Sequence, residues 1–248
     1  MRLALLSDLH ANLRAFQACV AHARAQGATQ FAVLGDIVGY GAEPAQVVDA
    51  VRALAAEGAV VLKGNHDELA VSGASGDTME AAGAAWTHAQ LDGAQRAYLD
   101  ALPLDALAGD TLLVHATADE PAAWHYADNV PRVQRSLEAA AARGARRVFV
   151  GHVHAQRLYF EGMRGAPTAF DPTPGVAIPL APHRRWLATV GSVGQPRDGD
   201  ARAMYAIFDA AGSRLTFHRV PYDHLATAAS IRAAGLPAYF ADRLGQGR

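Results

Sequence analysis

Over the first 64 residues, short apolar runs alternate with helical stretches of steady length, and few folds accept that order. Residues 3–6, 31–34 and 60–62 read as strands. Between the first two, Leu13, Phe16 and Val20 recur at helical spacing, which predicts a helix over 12–25 ended by Gly27. Val47, Val48, Val51 and Leu54 repeat the pattern over 43–57, with Pro44 in the first turn. Strand, helix, strand, helix, strand is the signature of a parallel α/β layer.

Further along, 68–102 becomes alanine-rich, with Trp86, Leu91, Tyr98 and Leu99 as its large anchors, and reads as a helical insertion. Strands are expected again at 111–114 and 147–150, separated by a helix over 132–143. After His154 the pieces shorten to 158–161, 186–190, 204–208 and 215–220. They suggest a second, largely antiparallel sheet, with 209–212 as a hairpin connection. Residues 165–182 hold five prolines and read as an irregular loop, and the tail from Tyr222 reads as helical. At 248 residues the chain is expected to form one domain over 1–248.

Composition bounds the function. A net charge of -2 and the lack of a long basic run give no reason to expect binding to a nucleic-acid polymer or a membrane surface. The single cysteine, Cys19, has no internal disulfide partner and is expected buried and reduced. The opening Met1-Arg2-Leu3-Ala4-Leu5-Leu6 reaches polar Ser7-Asp8 too soon for a signal peptide or a ~20-residue membrane span, so a cytoplasmic protein is expected.

Five of the apolar runs lead directly into Asp8-Leu9-His10, Gly35-Asp36, Gly64-Asn65-His66-Asp67, His115 and Gly151-His152-Val153-His154. Ligands gather at the carboxyl ends of strands in open α/β sheets, and these motifs fall at that edge. Alone, His10 or Asp36 reads as a turn or capping residue, and His115 as a hydrogen-bonded surface group. Together they supply Asp8, His10, Asp36, Asn65, His115, His152 and His154, enough for two ions that share one ligand. Imidazole and carboxylate donors suit Mn, Fe, Zn or Ni. Asp36 is the candidate bridge, since one carboxylate can hold two cations ~3.5–4 Å apart, with a hydroxide between them as nucleophile. His66 is suited to protonating the leaving oxygen, and Asp67 either orients it or caps the following helix. His22, His88, His218 and His224 have no such context and read as surface or satisfied histidines.

The motifs resemble, in order, those of the calcineurin-like metallophosphoesterase superfamily. The likeness spans Asp8 to His154 and continues loosely to about Asp209. It implies an α/β fold, a four-layer αββα sandwich of two mixed β-sheets flanked by helices. It also implies Asp8, His10, Asp36 and His154 on one ion, Asp36, Asn65, His115 and His152 on the other, and His66 as the catalytic histidine. The Ser/Thr protein phosphatases of the superfamily carry Gly-Asp-x-x-Asp-Arg-Gly. Here Gly35-Asp36-Ile37-Val38-Gly39-Tyr40-Gly41 lacks both the histidine-orienting aspartate and the phosphate-binding arginine. That segment and Gly191-Ser192-Val193-Gly194-Gln195-Pro196-Arg197-Asp198 are similar to a compact bacterial branch of phosphodiesterases, some of which act on dinucleoside polyphosphates. In Asp8-Leu9-His10-Ala11-Asn12, alanine replaces the glycine usual in that branch.

Three residues are candidate substrate contacts. Asn12 either touches substrate or caps the first helix. Tyr40 stacks on a base, hydrogen-bonds a phosphate, or is packing. Arg197 either binds a phosphate oxygen as a bidentate donor or forms an exposed ion pair. Trp124, His125 and His183 are possible pocket walls. The reading is a dinuclear metal-dependent phosphodiesterase or nucleotide pyrophosphohydrolase acting on a small phosphorylated substrate, with a phosphomonoesterase as the nearest alternative. A noncatalytic scaffold of the same fold would predict lost ligands, and all are present.

Overall fold

The computed structural model describes residues 1–73, 76, 78–162 and 165–248. The first half follows the predicted alternation: β1 (Arg2–Leu6), α1 (Leu13–Ala25), β2 (Gln30–Val33), α2 (Pro44–Ala56) and β3 (Val60–Val61). Next come the helices α3 (Asn65–Ser72), α4 (Met79–Gln90) and α5 (Gly93–Asp100). These occupy the expected helical stretch, of which residues 74, 75 and 77 lie outside the described residues. Then follow β4 (Asp105–Ala108), β5 (Thr111–Val114), α6 (Val130–Ala142) and β6 (Arg147–Val150). The last part holds β7 (Gln156–Glu161), β8 (Pro167–Phe170), β9 (Ala177–Pro179), β10 (Trp186–Val190), β11 (Ala203–Asp209) and β12 (Arg214–Val220). Helices α7 (His224–Ala233) and α8 (Ala238–Gln246) close the described chain.

Two six-stranded mixed sheets result, ordered β3-β2-β1-β11-β12-β9 and β4-β5-β6-β10-β7-β8. The late strands do not form a separate antiparallel sheet as expected. Strand β11 pairs antiparallel with β1, while β10 pairs parallel with β6 and antiparallel with β7. Each parallel trio thus gains antiparallel strands from the end of the chain, a long-range pairing that local patterning does not encode. Two further expectations fail. The proline-bearing stretch 165–182 is not wholly irregular, since β8 and β9 lie within it as edge strands, where a missing N–H is tolerated. The edge strand β4 has no counterpart in the sequence reading.

Strand β1 explains the layering. Leu3 and Leu5 face a core shared by both sheets, with Leu113, Phe149, Ala188, Phe208 and Phe217. Ala4 and Leu6 face the opposite way, into the core beneath α1 and α2 that holds Phe16, Cys19, Val47 and Val51. Helix α6 covers the other sheet through Val133 and Leu137 against Leu112, Val148 and Val150. Alternate residues of a strand point to opposite faces, so a strand buried on both reads as one continuous apolar run. Helices α7 and α8 build a smaller cluster with Ile231, Phe240 and Leu244, against which Tyr40 and Trp86 pack. No helix among the described residues is long and apolar enough to cross a membrane.

Leu5 is fully buried between the sheets. Leu5→Ala is expected to cost about 3 kcal/mol of unfolding free energy, read as a lower urea midpoint with an unchanged slope.

Candidate metal centre

The predicted residues meet at one end of both sheets. Asp8 and His10 follow β1, Asp36 follows β2, Asn65 and His66 open α3, His115 follows β5, and His152 and His154 follow β6. One donor atom from each of Asp8, His10, Asp36 and His154 lies within 4.8 Å of the others, and the same holds for Asp36, His115 and His152. Asp36 belongs to both groups. The Asn65 side-chain oxygen approaches His115 Nε2 to 3.2 Å, so it joins the second group.

Five of these residues hold the left-handed backbone conformation: Asp8, His10, Asp36, His152 and His154 have φ between 47° and 64°. Non-glycine residues adopt it at a cost of order 1 kcal/mol, which persists where surrounding structure imposes it. For Asp8, His10 and Asp36 the imposition is a ladder between two loops, in which the N–H groups of Asp8, His10 and Ala11 donate to the carbonyls of Gly35, Asp36 and Ile37 at 3.0 Å. Ala11 shares the conformation, with φ 50°, which accounts for the preference for glycine there. Close approach explains Gly64, where a Cβ would collide with Asp36 N and Oδ1.

The imidazoles are held in one tautomer. His10 Nδ1, His115 Nδ1 and His154 Nδ1 sit 3.2, 2.7 and 2.7 Å from the carbonyl oxygens of Val38, Leu34 and Gln195. A carbonyl only accepts, so each Nδ1 carries a proton and each Nε2 is the nitrogen left to face the centre. These Nε2 atoms turn inward, with His154 Nε2 3.1 Å from Asp8 Oδ1 and His115 Nε2 3.4 Å from Asp36 Oδ2. Asp36 Oδ1 accepts from His66 N at 2.8 Å, while Asp36 Oδ2 and His152 Nε2 are buried with no hydrogen-bond partner. Asp8 receives His152 N at 3.2 and 3.0 Å on its two oxygens.

The electrostatics agree with a cation-binding donor set. Burial opposes ionisation of Asp36, but the charges of His115, His66 and His10 and the His115 hydrogen bond together outweigh it and hold the carboxyl well below its usual range. For Asp8, burial is outweighed by the charge and hydrogen bond of His154 together with the charge of His115. Burial, then His154, pushes His10 down, and burial, then His115, pushes His152 down to about 4. His115 goes the other way, to about 9, because Asp36 overcomes the burial that would lower it. Anionic Asp8 and Asp36, neutral His10 and His152, and the orphaned Asp36 Oδ2 and His152 Nε2 fit divalent metal ions, whose binding would displace the proton that Asp36 favours on His115.

The remaining candidates divide. Asp67 does not reach the imidazole of His66. Its oxygens accept from Gly64 N, Ile37 N and Val38 N at 2.9, 2.9 and 3.1 Å, so it caps α3 and ties down the Asp36 loop instead of orienting the histidine. Asn12, expected as a possible substrate contact, is fully engaged in the fold. Its oxygen accepts from Ala15 N and Thr227 Oγ1, and its amide donates to Gly194 O and Tyr222 Oη. Tyr40 packs 4.8 Å from the His10 ring and 4.5 Å from the His66 ring. Arg197 forms no ion pair with a carboxylate among the described residues, and its Nη2 donates to Gln195 Oε1. Trp124 lies 5.8 Å from the His115 ring. His125 pairs with Glu120, and His183 lines a surface cavity with Glu161 and Arg184 that contains none of the candidate ligands.

Two neighbours of the centre were not found in the sequence. Tyr126 stacks on His152 at 4.0 Å, and Glu80 of α4 stands 3.6 Å from His66 Nε2. Neither carries a local signal: Tyr126 sits in a loop, and Glu80 is an ordinary first-turn acid behind the Thr78 cap.

Residues 1–213 match the family model of the calcineurin-like phosphoesterase superfamily domain. An uncharacterized protein of Methanocaldococcus jannaschii is 32% identical over 99% of this chain and 98% of its own length. The crystal structure of a metallophosphoesterase from Sphaerobacter thermophilus superposes with a TM-score of 0.87 at 36% identity, covering 100% of this chain and 99% of that one. A hypothetical protein from Pyrococcus horikoshii OT3 shares the fold, with a TM-score of 0.78 at 19% identity over 100% of this chain and 98% of that one. The chain belongs to the calcineurin-like phosphoesterase superfamily, whose members are metal-dependent phosphoester hydrolases.

Proposed function

We propose that this protein is a dinuclear phosphodiesterase or nucleotide pyrophosphohydrolase, with residues 1–248 acting as one unit. The observation that carries the reading is the pair of buried donor groups joined at Asp36, with His66 beside them. Asp8, His10, Asp36 and His154 would hold one ion, and Asp36, Asn65, His115 and His152 the other, drawn from Mn, Fe, Zn or Ni. When bound, such a pair of ions activates water and neutralises charge on the phosphoryl group.

The chain's own residues do the rest. The Nδ1–H bonds to main-chain carbonyls keep the Nε2 atoms of His10, His115 and His154 aimed inward. His66 donates a proton to the leaving oxygen. Gly39 makes room for it, since a Cβ there would lie 2.9 Å from His66 Nδ1. Glu80 supplies a carboxylate near His66 that the Gly35–Gly41 segment lacks. Tyr126 and Trp124 flank the second donor group and form an aromatic wall suited to a nucleobase.

Incubation of the purified, Mn²⁺-loaded protein with diadenosine tetraphosphate is expected to yield AMP and ATP by chromatography. His66→Ala is expected to lower turnover by about 10²–10⁴ with metal content nearly unchanged, and equal activity in the variant would overturn the assignment. Asp36→Asn should instead lose both ions, measured by elemental analysis. Glu80 is about half exposed, so Glu80→Gln is expected to lower kcat by no more than about fivefold.

A further inference from the structure

Two guanidinium groups converge on the Tyr40 ring, with the Arg197 carbon 5.8 Å and the Arg243 carbon 6.0 Å from its centroid. Different parts of the fold deliver them. Arg197 follows β10, and its main-chain N–H donates to His154 O at 3.2 Å, which anchors it to a candidate ligand. Arg243 comes from α8, whose Phe240 meets the Tyr40 ring at 5.0 Å. Helix α8 lies beyond residues 1–213, the part that matches the family domain.

No side-chain carboxylate among the described residues balances either cation. Arg197 Nη2 donates to the neutral Gln195, the Arg197 guanidinium also bonds the Tyr40 hydroxyl, and Arg197 Nε is buried with no partner among the described residues. Arg243 Nε donates to the Arg248 main-chain oxygen at 2.5 Å. The acids nearby are already taken, Asp198 by Arg219 and Asp200 by Arg202. Burial, then the Arg197 charge, pushes the Arg243 pKa down, as expected for two like charges held together. An anion bridging them would relieve the repulsion and satisfy the orphaned Nε–H.

The Tyr40 ring also touches His10 and His66, so the arginine pair stands one aromatic ring away from the metal centre. A phosphoryl group held among the metal ligands would leave this pair for a neighbouring anionic group. We propose that Arg197 and Arg243 form a second anion subsite that takes the phosphate adjacent to the one being cleaved. The substrate class is then a diphosphate or polyphosphate ester. This rests on the hydrolase reading above and narrows it.

Calorimetry on the Mn²⁺-loaded protein can compare imidodiphosphate, whose P–N–P link resists hydrolysis, with inorganic phosphate. The wild type is expected to bind imidodiphosphate at least about tenfold more tightly, the gain from one or two charge-assisted bonds. Arg197→Gln and Arg243→Gln should each bring that ratio toward unity, and Arg243→Lys should retain part of it. Metal content identifies any variant that has not folded, in which case the other decides. No preference in the wild type, or an unchanged ratio in the glutamine variants, overturns the subsite. Because binding is read without turnover, the two readings separate. Diester turnover with an arginine-independent ratio defeats the subsite alone, and an arginine-dependent ratio without any turnover defeats the hydrolase reading alone.

Discussion

Asp36 is the point on which the centre depends. It is buried, its Oδ1 is held by His66 N, and its Oδ2 faces His115 and His10 at 3.4 and 3.8 Å without a hydrogen bond. A buried, half-satisfied carboxylate is costly unless positive charge sits beside it. Divalent cations held between the two donor groups would supply that charge. The surrounding strain follows from the same need. Asp36, which belongs to both donor groups, holds a left-handed backbone, and the loop ladder from Asp8, His10 and Ala11 keeps it there.

Two sheets are needed because the donors come from both. Asp8, His10 and Asp36 end strands of one sheet, and His115, His152 and His154 end strands of the other. The shared core around Leu5, Phe149, Phe208 and Phe217 therefore does more than stabilise the fold. It sets the distance between the two halves of the site. Close packing transmits small shifts, so rigidity in that core is rigidity in the donor geometry.

The walls of the site are a separate matter from its floor. The donors sit on strand ends and a helix N-terminus, while the groups around them come from α4, α8 and the loops bearing Tyr126 and Arg197. A conserved type of chemistry can thus persist while the walls decide what enters, the usual division between scaffold and loops.

The sequence by itself determined the alternating strands and helices, the donor residues and their place at the strand ends. These are local properties: apolar runs and helical spacing specify elements, and a motif next to a run inherits the strand's position. Only the tertiary structure decided what depends on distant partners. Asp67 ties down the Asp36 loop because one of its oxygens accepts from main-chain N–H groups 29 and 30 residues earlier. Asn12 became a tie because Gly194 and Tyr222 lie across the fold from it. The late strands split between two sheets because strand pairing is chosen by non-local contacts that residue patterns do not record. Glu80, Tyr126 and Arg243 reach the site for the same reason, through packing that brings together segments far apart in the chain.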